Sequence, residues 1–113
     1  MSLRPPRLGP AFSARKPVDA LDYEIAQEQA AALGRMGRRL EATLKALAEF
    51  DAAPPADART ARLALVDAAS DSLWQFLVQR ESCGLRDQAR VMRDYGVPAE
   101  VQARLGASPR ASR

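Results

Sequence analysis

Asp22, Arg80, Glu81, Arg86 and Asp87 are the residues whose types and spacing most invite chemistry in this 113-residue chain. Four of them crowd into a stretch of eight positions, and Arg80 falls within the apolar arc of its helix, as Asp22 does in an earlier one. A charge placed in an apolar arc needs an opposite charge or a set of hydrogen bonds. The expectation is an ion pair from Asp22 to Arg80 or Arg86, which would fix helix register. The same cluster, with Tyr23 or Tyr95 beside it, could instead take a small anionic ligand or shuttle a proton. Cys83 stands between the two arginines at a helix end and has no histidine to serve as its base, so it reads as an inert, semi-buried thiol.

The absence of histidine excludes much enzymology. Serine and cysteine nucleophiles activated by histidine, histidine-containing zinc sites and the Glu-x-x-His ligands of di-iron bundles are all out of reach of this chain. Glu24 and Glu28, four residues apart, supply half of a carboxylate site but no nitrogen ligand, and they read as a solvated helix face. The chain is therefore expected to be no enzyme and to carry no metal or cofactor.

The net charge of +3 misleads until it is mapped. Arg4, Arg7, Arg15 and Lys16 near the start and Arg110 and Arg113 at the end meet no acid, while residues 19–105 set 11 bases against all 14 acids. Arginine-rich tails around an acidic body allow one alternative function, nucleic-acid association with a steep salt dependence. No run approaches the roughly 18 to 20 apolar residues of a membrane span, and no apolar region follows the first basic residues, so a soluble cytoplasmic protein is expected.

The elements that must position these groups are helices. Residues 1–18 hold four of the eight prolines and scattered arginines, which suits a disordered basic arm. One helical domain is expected over 19–106 and a flexible tail over 107–113. Asp19 is placed to cap a first helix, to about residue 51, whose Leu21, Ile25, Leu33, Met36, Leu40, Leu44, Leu47 and Phe50 share an arc of about 140°. Pro54 and Pro55 end it, and Ala56 or Asp57 caps a second helix over about 57–83 with an apolar arc of about 180°. Gly84 suits a left-handed C-terminal cap, with Leu85 after it. Short helices are expected over about 88–95 and from Pro98 to Gly106; their order resembles a helix-turn-helix, but the second is short and Gln102 stands where an apolar residue belongs.

A tight turn makes the long helices an antiparallel hairpin. Placing Phe50 opposite Asp57 sets Leu33 by Trp74, Gly34 by Leu73 and Gly37 by Ser70, so the glycines of G-R-M-G read as room for the indole rather than as a phosphate cradle. Two short helices can shield only one end of so wide an arc, and a homodimer is expected in which Leu63, Val66, Leu73, Phe76 and Leu77, shared between the intramolecular and intersubunit cores, close a four-helix bundle.

The segments L-W-Q-F-L-V-Q-R-E-S-C-G-L-R and D-Y-G-V-P-A-E-V, with L-D-Y-E-I and G-R-M-G-R-R-L-E earlier, resemble a family of short uncharacterised bacterial proteins carried as a domain of unknown function. That resemblance implies a bacterial, cytoplasmic, α-helical protein and transfers no activity. The leading functional expectation is an interaction or scaffold protein that acts as a homodimer or with an unidentified protein partner. The alternatives are nucleic-acid association and a small anionic ligand at the Arg80 and Arg86 end of the hairpin.

Overall fold

The computed structural model describes residues 17–105, and every regular element among them is a helix: α1 (Pro17–Ala52), α2 (Arg59–Ser82), α3 (Gln88–Asp94) and α4 (Ala99–Arg104). The basic arm and the C-terminal tail read from the sequence lie outside the described residues, apart from Pro17 and Val18, which belong to α1. Helix α1 starts two residues before the expected cap. Proline has no N–H to lose in a first turn, and Asp19 then lies within that turn, where the dipole favours an acid.

The described residues divide into two compact units, one up to Ala31 and one from Ala32 on. In the first, α1 carries its side chains in the open: residues 18–28 are all exposed, Val18, Leu21 and Ile25 included.

The second unit holds the core. Leu40 and Leu47 from α1, Val66, Ala69, Leu73, Phe76 and Leu77 from α2, Val91 from α3, Val97 from the following turn and Val101 from α4 are buried together. Helix α4 packs on α2, and Arg104 of α4 reaches Asp67 of α2 at 2.5 Å. Much of the apolar arc of α2 is therefore covered from within the chain, while Leu63 and Trp74 stay exposed. Val66, Leu73, Phe76 and Leu77, expected to be shared between the chain's own core and an intersubunit one, are buried in the chain; of that set Leu63 alone is exposed.

The helix register also departs from the expectation. Gly37 lies against Phe76, Thr43 Oγ1 is 2.6 Å from Ser72 Oγ, and Asp51 pairs with Arg62. Gly37 thus meets a residue six positions further along α2 than Ser70, about 9 Å at 1.5 Å per residue. The cause is the connection. Chain reversal occupies all of residues 53–58 and ends on Asp57 at φ 54° and on Ala58, which caps α2 without a side-chain hydrogen bond. Neither Ala56 nor Asp57 is the cap, and Trp74 is 46% exposed rather than set over the glycines.

Between the helices, the Thr43 and Ser72 hydroxyls also lie 3.0 Å from the carbonyls of Leu40 and Ala69. One hydroxyl can donate across the interface while the other donates to its own helix, so this polar pair is satisfied and ties the register.

Both turns after α2 and α3 use glycine in the left-handed region. Gly84 (φ 87°) and Gly96 (φ 60°) each follow a helix end, and Leu85 N–H donates to the Arg80 carbonyl as Val97 N–H does to that of Met92. Each pattern is a Schellman closure with an apolar residue after the glycine. Gly96→Ala is expected to lower stability by about 1 kcal/mol in urea unfolding, since a Cβ strains that backbone.

Candidate functional site

The five charged residues singled out by the sequence have separate duties. Asp22 belongs to the first unit and is exposed. The register that would have set it near Leu85 is not the register of these helices. Glu81 and Arg86 pair with each other at 3.4 Å in solvent, an arrangement worth little in stability. Asp87 caps α3, its Oδ1 accepting from Arg90 N–H at 3.1 Å. Cys83, the residue at the end of α2, is half-buried, with the Gln79 amide donating to its Sγ at 3.8 Å.

Arg80 differs from these. It is half-buried, and its guanidinium carbon lies 5.8 Å from the centre of the Phe76 ring, within cation–π range. Among the described residues no acid lies within ion-pair reach of it. Phe76 in turn meets the Tyr95 ring edge-on, with centroids 5.4 Å apart and planes at 67°. Burial, and then the charge of Glu41, push the Tyr95 phenol above its ordinary pKa, against a smaller opposing pull from Arg80. With Leu85, Arg90, Val91 and Asp94, these three side chains line a cleft of about 330 Å³.

The sequence reading found Arg80 but missed Phe76 and Arg90 and gave Tyr95 only a minor place. Phe76 had been assigned to an apolar arc, and Arg90 and Tyr95 arrive through the Gly84 turn, whose direction the sequence does not specify.

A second polar cluster lies near the chain reversal. Arg62 donates from Nε and Nη2 to the two carboxylate oxygens of Asp51, at 2.8 and 3.1 Å, and from Nη1 to Glu100 at 2.8 Å. One planar fork thereby joins α1, α2 and α4. A neighbouring cleft of about 350 Å³ is lined by Leu44, Leu47, Ala48, Asp51, Arg62, Gly96 and Pro98. Both carboxyls are held below their usual range by hydrogen bonds from Arg62. A carboxyl with a lowered folded-state pKa contributes stability above its unfolded value and loses it as pH falls. The melting temperature of the wild type should therefore drop more between about pH 5 and about pH 3 than that of Arg62→Gln, as circular dichroism melts at each pH would check.

Among the described residues no three His, Cys, Asp or Glu side chains gather in a way that could hold a metal ion, and no helix is long and apolar enough to cross a membrane. Residues 10–113 match the model of a family of unknown function, DUF6665. No curated protein and no solved structure matches the chain.

Proposed function

We propose that this chain, which belongs to the DUF6665 family of unknown function, is a non-enzymatic helical interaction protein that works as a homodimer, in the bacterial cytoplasm that the sequence resemblance implies. The observation that carries this reading is the row of Val18, Leu21 and Ile25 on α1, 54, 53 and 48% exposed. Spaced by three and four residues, they share one helix face. Single apolar residues on a surface need no explanation, whereas a row on one face suits a docking surface. Leu63, Trp74 and Val78 form a second such set on α2.

Charge favours a second copy as the occupant. Residues 19–28 carry four acids and no base, and residues 35–45 carry four bases against Glu41. Two α1 helices packed antiparallel set opposite charges side by side, as a two-fold axis allows, and a parallel pair would set like against like. Sedimentation equilibrium at about 100 µM should give twice the 12.3 kDa chain mass. The double variant Leu21→Arg, Ile25→Arg should return the mass to that of one chain with its melting temperature little changed. A wild-type protein that stays at 12.3 kDa defeats the homodimer.

A further inference from the structure

We propose that the cleft between the end of α2 and α3 binds a small organic carboxylate with an apolar body, Arg80 taking the carboxylate. Arg80 is a half-buried cation to which no described acid is paired, and the Phe76 face beneath its guanidinium offsets part of the cost of partial burial while leaving N–H groups free to donate. The other cation of the cleft, Arg90, is engaged by Asp94 at 3.4 Å. The lining therefore offers one uncompensated positive charge, which matches a monoanion. A guanidinium fork is shaped for the two oxygens of a carboxylate.

The remaining walls choose the body of the ligand. Phe76, Leu85 and Val91 present apolar surface, and Tyr95 places a phenol at the same cleft. A phenol is protonated at neutral pH, so it can donate to a carboxylate oxygen. A space of about 330 Å³ is at the small end of ligand sites and suits an acid of about ten heavy atoms. Inorganic phosphate fits less well, since Asp94 opposes a dianion and the apolar walls have nothing to meet.

Phenylacetate is the probe, titrated into the full-length protein and followed by backbone amide shifts, with phenylacetamide and inorganic phosphate as comparisons. Phenylacetate should give saturable shifts at Arg80, Leu85, Val91 and Tyr95. The uncharged amide and the phosphate should each bind at least about tenfold more weakly. Arg80→Gln should lose about tenfold in affinity, and Tyr95→Phe about threefold, the loss of one neutral hydrogen bond. The amide comparison uses the wild type, so it decides the matter even if a variant folds poorly. Absence of saturation by phenylacetate at about 10 mM, equal binding of the amide or of phosphate, or unchanged affinity in a folded Arg80→Gln variant would overturn the proposal. These readouts are independent of the mass that tests the homodimer.

Discussion

Leu73→Ala is expected to lower the free energy of unfolding by about 3 to 4 kcal/mol. Leu73 is fully buried in a cluster that draws on all four helices. Truncation removes the transfer energy of its branched end and leaves a cavity that its surroundings cannot close without moving a helix. A domain of this size has roughly 5 to 10 kcal/mol of stability to lose, so this substitution removes about half. Urea unfolding at 25 °C should show a lower midpoint with an unchanged slope. The contrast with Leu63 is the sharper check. Leu63 is on the same helix and was grouped with Leu73 by the sequence, but it is 45% exposed, and Leu63→Ala should cost under about 1 kcal/mol. Equal losses at both positions would contradict the packing of α2.

The sequence spoke clearly about the helices and poorly about what they face. Apolar spacing located α1 and α2, the paired prolines located the break, and Gly84 and Gly96 stand at the helix ends in the left-handed conformation expected of the first of them. Periodicity has no term for the length of a chain reversal, however. The tight turn assumed between Phe50 and Asp57 placed every opposing pair wrongly, although the antiparallel sense was right. It assigned Gly37 the wrong aromatic side chain. The arc of α2 gave its width but not its cover. Whether Val91, Val97 and Val101 of the same chain or residues of a second copy fill that cover depends on the direction in which the Gly84 turn sends the chain. The cleft at Arg80 was legible only as a half-buried arginine in an apolar arc, because its other walls lie beyond that turn.

Gly37→Leu is expected to cost about 2 to 3 kcal/mol, because the added side chain must enter space held by Phe76 and Tyr95. A Cβ built on Gly37 would stand 2.7 Å from the Tyr95 hydroxyl oxygen and 3.5 Å from Phe76 Cε1. The second contact is ordinary and the first is not. Gly37→Ala therefore sets two terms against each other. Alanine gains about 1 kcal/mol over glycine in a helix interior, and displacing the hydroxyl gives much of that back, so the net change should be close to zero. Removing the hydroxyl separates the terms. In a Tyr95→Phe background Gly37→Ala should recover nearly the whole 1 kcal/mol, and urea unfolding of the wild type, the two single variants and the double variant measures the coupling directly. A coupling below about 0.3 kcal/mol would mean that the Tyr95 hydroxyl is not held against α1. The same displacement reaches the cleft. Gly37 is absent from its walls, but a methyl group there moves the phenol proposed to donate to the ligand, so Gly37→Ala should weaken phenylacetate binding while leaving stability almost unchanged.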